Sequence, residues 1–555
     1  MSDKKLNNTK MDGLSMIPIG GCSTVGMNMY AYIYNDQWIL VDMGMGFDNS
    51  LGRELLVPSP ELLVKNKSKI KALFITHSHE DHVGAIPYLW PMLECAIYAR
   101  PFAVEMISDK LAQFNMKNVP LIKTTLCVPV RIGNFSVEFI PVAHSTPESS
   151  ALAITTGSGV ILHSGDWKID NDPVLGTKTD EARIKKYGDN GLLALVCDST
   201  NVFRDVQHGS EKDVRKNLIE LVKNTKKNRI LITCFASNLA RLESCYLAAK
   251  ESGRQMIIAG RSLKKIERIA KLSGYFSDLP AFIDERSVKS VDSDKVLIVC
   301  TGSQGEPRSA LSKIANDSHK FIKLQKDDVI IFSSRVIPGN ESAVSDLQDA
   351  LIAKGVKIIT DTDHCIHASG HPSKMELEYL YSLARPKIVI PVHGGIAQLY
   401  KHAEIAKGFG VKNVLIPHDG SIIKFTKDEA SIVDSVVSKT LAVDGYKLIP
   451  ADGIVYKQRQ NLSSNGVVTA LVEHRKGVTT LLEMFSSGLF EDSERLEMTD
   501  IRNDIASEIK LSLDNISKGK SGVKDIKVSV EKIIRTTFSN VRGKTPVVFA
   551  HVIKS

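Results

Sequence analysis

Three histidines and two acids, His77, His79, Glu80, Asp81 and His82, fall within the six residues HSHEDH that follow the apolar run KALFIT. His77 and His79 stand two apart at the end of a predicted strand, where alternate side chains share one side. Asp81 and His82 follow in the turn. Buried, polar side chains this close must satisfy one another; on an open surface nothing would require such density. Imidazole and carboxylate are the donors of catalytic zinc sites. The split into His77/His79 and Asp81/His82 suggests two ions side by side, which need further ligands. His144 in VEFIPVAHS, Asp166 in VILHSGD and His393 in KIVIPVHGG are each the first metal-binding group after a buried-looking run. Singly, each reads more simply as a satisfied histidine or a turn aspartate. Jointly they complete three or more protein ligands per ion. A carboxylate shared at Asp166 would hold the ions roughly 3.5–4 Å apart.

Strands must deliver these residues. The first 200 residues alternate short β-branched runs with turns (NMYAYIYN, WILVDMG, VRIGNFSVEFIPV, LLALVCDST), as a mixed sheet does. From about 211 the rhythm changes. SEKDVRKNLIELVKNT predicts a helix with a serine cap. The runs NRILITCF, RQMIIAG, KVLIVCTGS and DVIIFSS then alternate with helical patterns, which predicts a parallel α/β unit. After KIVIPVHGG the earlier strand pattern resumes, so one domain is inserted in another. From about 460, GVVTALVEH, VTTLLEMF, a helical stretch near 497–515 and PVVFAHVI predict a small α+β domain.

A chain of 555 residues exceeds one hydrophobic core. No apolar run reaches the roughly 18 residues of a membrane span, and the charged N-terminus lacks the apolar core of a signal peptide. A cytoplasmic protein with no membrane partner is expected. The eight cysteines are scattered without a CxxC pair and read as reduced, mostly buried thiols. Net charge is +8, and residues 501–555 alone hold eleven Lys/Arg against five Asp/Glu. That excess permits an anionic partner.

HSHEDH, a lone histidine, SGD and a late PVHG, in that order, resemble the metallo-β-lactamase superfamily. The resemblance implies an αβ/βα sandwich with the metals at one edge, and it gives Asp42 of ILVDMG a supporting role behind the ligands. The insertion between the Asp166 and His393 strands resembles the β-CASP domain of the nucleic-acid-processing branch. GDWKID, CDSTN, FASNLARL, TGSQGEPRSAL, SSRVIPGNE, IHASGHPSKMEL and GKTPVVFAHVI together resemble the ribonuclease J family over nearly the full length. The expected architecture is a metallo-β-lactamase domain at 13–210 and 361–455, a β-CASP domain at 211–360 and an α+β domain at 460–555.

What that resemblance implies is a zinc-dependent ribonuclease, with 5′-to-3′ exonuclease and endonuclease activity in RNA maturation and decay. It implies two Zn(2+) per subunit, with Mn(2+) as the alternative, and a homodimer or homotetramer. An RNA phosphodiester is anionic, so a basic protein attracts it. Water on such metals has a pKa lowered to about 7. IHASGHPS surrounds a phosphate plausibly on chemical grounds, with backbone N–H groups, a hydroxyl and two imidazoles before a helix start. By resemblance His367, Ala368, Ser369, Gly370 and His371, with Ser237 and Asn238 of FASN, bind substrate phosphates and recognise a 5′-monophosphate end. Asp198 is implied as proton donor and His371 as acceptor. The family can hold a structural calcium, which here would involve Gly52, Glu54 and Asp444, although LGREL departs from the usual Gly-x-Asp. Gly395 stands where an acid commonly follows, and its absence predicts a looser His393. Two rivals are a non-catalytic RNA-binding subunit, opposed by the full set of seven ligand positions, and a small-molecule hydrolase, opposed by the insertion and HASGH.

Overall fold

The computed structural model describes residues 12–22, 24–48, 55–205, 209–516 and 522–554. The chain divides into two compact units, one of Met1–Gly46 with Val57–Lys439 and one of Phe47–Leu56 with Thr440–Ser555.

In the first unit the β-branched runs build two stacked sheets. One has eight strands, in the spatial order Ala430–Ser435, Ser421–Phe425, Leu14–Gly20, Met29–Tyr34, Gln37–Val41, Ile70–Phe74, Ala96–Ala99 and Leu121–Lys123. The other has seven: Asn413–Val414, Ile388–Val392, Ala194–Asp198, Gly159–His163, Ser150–Thr156, Phe135–Pro141 and Val130–Ile132. Alternate side chains from both, among them Met16, Tyr32, Phe74, Phe139, Ile154 and Val196, meet in one buried core. Each contributes about 1.5–3 kcal/mol relative to exposure. The far face of the second sheet packs Leu195 and Val389 against Trp167, Ile184, Leu380 and Tyr381. Ile184 belongs to helix Glu181–Asp189, and Leu380 and Tyr381 to helix Lys374–Ala384. This is the sandwich that the motifs implied.

The inserted segment forms a six-stranded, all-parallel sheet in the order Ile283–Asp284, Gln255–Ala259, Val296–Cys300, Ile230–Thr233, Val329–Phe332 and Lys357–Ile359. Its central strands read as unbroken apolar runs because both faces are covered. Helix Glu211–Asn224 opens with the expected Ser210 cap, which forms a capping box with Asp213. The strands before and after the insertion lie side by side, Ala194 opposite Ile388 through Asp198 opposite Val392. The chain therefore leaves the second sheet at Asp198, and after the insertion helix Lys374–Ala384 leads it back to Ile388, opposite Ala194, so that both strands end on one side, at Asp198 and just before His393.

In the second unit Val467–Arg475 pairs with Val478–Ser487 and Val547–Lys554. Val468, Ala470 and Val472 face Ile505, Ile509, Val530, Ile534 and Phe538 of two long helices. Strands Thr440–Asp444 and Lys447–Pro450 also fall here, so the compact division comes at 439/440, ahead of the expected boundary near 455. Six of the eight cysteines are buried free thiols, Cys127 is half-buried and Cys365 exposed. Among the described residues no helix is long and apolar enough to cross a membrane.

Candidate metal centre

The HSHEDH turn is held by backbone before any side chain acts. Met43 N donates to His82 O (2.7 Å), Met45 N to Glu80 O (3.1 Å) and Asn28 N to Asp81 O (3.0 Å). Gly44 makes this closeness possible: a Cβ there would lie 1.6 Å from the Asp81 carbonyl oxygen. Asp42, with φ of 59° at the end of strand Gln37–Val41, ties the turn from below. Its carboxylate accepts from Thr76 N (2.8 Å), Thr76 Oγ1 (2.8 Å) and His82 Nδ1 (2.7 Å).

Above that base two donor groups converge, His77, His79, His144 and Asp166 in one and Asp81, His82, Asp166 and His393 in the other. Asp166 divides its oxygens between them. Oδ2 lies 3.5 Å from His77 Nε2 and 3.7 Å from His144 Nε2. Oδ1 lies 3.3 Å from both His82 Nε2 and His393 Nε2. Asp81 Oδ2 stands 3.6 Å from His82 Nε2 and 3.5 Å from His393 Nε2. Such separations match the edges of a tetrahedron around an ion with bonds of about 2.0–2.2 Å. Both Asp166 oxygens and Nε2 of His77, His79 and His393 are buried without a hydrogen-bond partner. Orphaned buried donors and acceptors are costly, and an ion in each group could take up the Asp166 oxygens and Nε2 of His77 and His393, whereas His79 turns Nδ1 inward, 3.1 Å from His144 Nε2.

The electrostatics agree. Burial holds His77 and His144 well below the ordinary histidine range and His79 at about 4, which keeps these imidazoles neutral, the form that can bind a metal ion. Burial also pulls His82 and His393 down, but Asp166 and Asp81 outweigh it and push both up. Burial would raise Asp166; His393, His82 and His77 override it and lower the carboxyl well below its usual range. The carboxylates thus call for positive charge at this point. Three of the far ring nitrogens have oxygen partners that leave Nε2 for an ion: Gly370 O at 2.6 Å from His144 Nδ1, Thr76 Oγ1 at 3.1 Å from His77 Nδ1, and Asp42 on His82.

The expected loosening of His393 is corrected by Asn28 and Gly21. His393 N donates to Gly21 O (2.7 Å), and Asn28 Nδ2 lies 3.1 Å from His393 Nδ1. Gly395 serves as the cap of helix Ile396–Gly408. Asn28 itself went unread in the sequence, although a polar residue opening the apolar run NMYAYIY is its signal.

His371 Nδ1 stands 2.7 Å from Asp198 Oδ2 and 3.8 Å from Asp166 Oδ2. Asp198 Oδ1 accepts from Thr200 N (2.8 Å) and Thr200 Oγ1 (2.7 Å), which fixes the carboxyl group against His371. Burial pulls His371 down, but Asp198 and Asp166 raise it to about 9. Gly370 is needed in HASGH because a Cβ would come within 2.8 Å of His144 Cε1. Ser369 Oγ accepts from His371 N (3.2 Å) and Asn201 Nδ2 (2.5 Å). Ala368 is buried and His367 half-buried in the same segment.

Other predicted residues sit differently. Ser237 is half-buried, while Asn238 caps helix Leu239–Glu251 through Arg241 N (2.9 Å) and donates to Glu211 Oε1 (3.3 Å). Asp444 is forked by Arg459 at 2.9 and 3.0 Å, and Gly52 and Glu54 lie outside the described residues.

A two-sheet sandwich with a His/Asp double cradle on its strand ends defines a metallo-hydrolase of the metallo-β-lactamase class. Residues 24–227 match the metallo-beta-lactamase superfamily, 227–351 the ribonuclease J beta-CASP domain, and 339–417 the Zn-dependent metallo-hydrolase RNA specificity domain. The chain is 36% identical over 554 residues to ribonuclease J of Sinorhizobium meliloti, covering 98% of this chain and 97% of that one. It is 35% identical to ribonuclease J 1 of Streptococcus pyogenes, over 83% of each chain. With ribonuclease J of Helicobacter pylori identity is 33%, over 99% of this chain and 80% of that one. A solved structure of a protein of unknown function from Enterococcus faecalis shares the fold, with a TM-score of 0.54 and 16% identity over 74% of this chain and all of that one. The chain belongs to the ribonuclease J family, and with it to the metal-dependent ribonucleases.

Proposed function

We propose that this ribonuclease holds two zinc ions, with manganese as the alternative, and degrades RNA 5′ to 3′ from a 5′-monophosphate end while also cutting internally. Its place is cytoplasmic RNA maturation and decay. The observation that carries this reading is Asp166, whose two orphaned oxygens each face a different histidine set. His77, His79, His144 and Asp166 would hold one ion, and Asp81, His82, Asp166 and His393 the other. When bound, the pair supplies a water of lowered pKa and positive charge for the phosphate oxygens. Asp42, Gly370 O and Asn28 orient the imidazoles. His371 Nδ1 and Asp198 Oδ2, 2.7 Å apart, are placed to share a proton. A proton on Nδ1 held by Asp198 leaves His371 Nε2 to accept a proton, which fits the acceptor role that family resemblance implies for His371, with Asp198 as the donor.

His367, Ala368, Ser369, Gly370 and His371 form the phosphate-binding loop, with Ser237 as a further phosphate contact. Asn238 supports that loop from behind rather than touching substrate. The catalytic parts are 13–210 and 361–455, the insertion 211–360, and 460–555 an association domain of a homodimer or homotetramer. Phe485 and Phe549 flank Thr469 on the open face of its sheet, 61% and 54% exposed, which supports that last role. No calcium is proposed, because Arg459 neutralises Asp444.

The test uses end-labelled RNA bearing a 5′-monophosphate or a 5′-triphosphate, with and without chelator. Metal-dependent release of mononucleotides, faster from the monophosphate, is expected. Binding without cleavage would reassign the chain to an RNA-binding subunit.

A further inference from the structure

Phe203 is 61% exposed, while its neighbour Val202 is buried. The turn that carries it is fixed at both ends against the catalytic loop. Arg204 N donates to Asn201 O (2.9 Å) and closes the turn. Asn201 Nδ2 donates to Ser369 Oγ (2.5 Å) and to His371 O (3.2 Å). Lys374 N donates to Arg204 O (2.9 Å). A phenyl ring is therefore held in water on pinned backbone, beside the loop that carries His371. Its exposure does nothing for the fold, since Val202 already anchors the turn.

The surroundings are charged. Arg204 lies close enough to Arg335 for burial and that second guanidinium to lower its pKa. Arg335 belongs to a neighbouring loop that buried Gln304 clamps, donating through Nε2 to Arg335 O (2.8 Å) and accepting from Ile337 N (2.8 Å). The acids here are Asp361, 3.0 Å from Arg335, and Asp205, 3.4 Å from Lys374. Glu306 adds a third acid, bonded through Oε2 to Gln304 N (3.0 Å), so the cations Arg204, Arg335 and Lys374 are balanced in number. An aromatic face beside arginines is the arrangement that stacks a nucleobase and neutralises the phosphates next to it.

We propose that Phe203 is the platform of a base-stacking subsite for single-stranded RNA, with Arg204 and Arg335 attracting the adjoining phosphates. Stacking accepts any base, so the subsite contributes affinity without sequence preference. This rests on the ribonuclease reading, and the experiment separates the two. Steady-state kinetics would use a 5′-monophosphorylated oligonucleotide and the same oligonucleotide made abasic throughout. Variants are Phe203→Ala, Phe203→Leu and Phe203→Trp, each checked for wild-type zinc content. Phe203→Ala is expected to raise KM on the normal RNA roughly ten-fold, Phe203→Leu to resemble it, and Phe203→Trp to restore affinity. On the abasic strand wild type and Phe203→Ala should converge. An unchanged KM in Phe203→Ala, or full function in Phe203→Leu, would overturn the stacking role alone. Failure of the zinc-loaded wild type to cut any RNA would overturn both readings.

Discussion

Arg241 is 1% exposed, and both terminal nitrogens of its guanidinium are bonded, while Nε is buried without a partner. Nη1 donates to Ser333 O (2.6 Å), Ser333 Oγ (2.7 Å) and Ile366 O (3.0 Å); Nη2 donates to Glu211 Oε1 (3.1 Å) and Oε2 (3.2 Å). One side chain thus joins the start of helix Glu211–Asn224, the end of strand Val329–Phe332 and the segment leading into HASGH. Arg241→Met keeps most of the apolar stem and removes the charge. Glu211, 4% exposed, would be left as a buried carboxylate without its cation, held only by Asn238 Nδ2, and Ser333 O would lose the Arg241 donor. Breaking a buried pair from one side costs about 3–5 kcal/mol, a large share of a typical stability of about 5–15 kcal/mol. Urea unfolding followed by circular dichroism would measure it. If the cost is the stranded carboxylate, Glu211→Gln in the same chain should recover about 2 kcal/mol or more. Additivity of the two changes within about 0.5 kcal/mol, or a single-variant cost below about 1 kcal/mol, would refute the reasoning. Turnover should fall with stability, because the Ile366 carbonyl sits upstream of His371 on the same segment.

Gly44→Ala cannot be accommodated without moving Asp81, since its Cβ would overlap the Asp81 carbonyl; elemental analysis should find zinc lost while circular dichroism stays native-like. His371→Ala should lower kcat by about 10²–10⁴ with both metals retained, and loss of metal in that variant would make His371 a ligand instead. His402, buried with Nδ1 2.8 Å from Ser199 Oγ, is held by burial at about 4 against an ordinary 6.5. Below pH 6.5 the unfolded chain therefore binds a proton that the folded chain refuses. Its share of stability is full above that pH and falls by up to about 3 kcal/mol toward pH 4. His402→Gln should flatten that slope in urea unfolding at pH 7 and pH 5, and an unchanged slope would show that other groups set it.

The histidines and aspartates of the two donor groups were legible because their signal is local. Each stands at the end of an apolar strand, and the motif order carries them even when several hundred residues separate them. The insertion was legible for a similar reason: continuous runs such as KVLIVC suit a sheet covered on both faces, and alternating runs do not. What supports the ligands was not legible. Asn28 reaches His393 across most of the first unit, and Asn201 reaches Ser369 across the whole insertion. No spacing rule encodes a contact made only once the sheets have stacked. Asn238 shows a different limit. A polar residue after a strand and before a helix reads equally as an anion ligand or as a cap, because both use the same backbone amides of the helix start. The buried Glu211 beside it accepts from the Asn238 amide, a contact that no local pattern announces. The chemistry of the site is thus written in its own residues, whereas its rigidity is written in residues that acquire meaning from their neighbours in space.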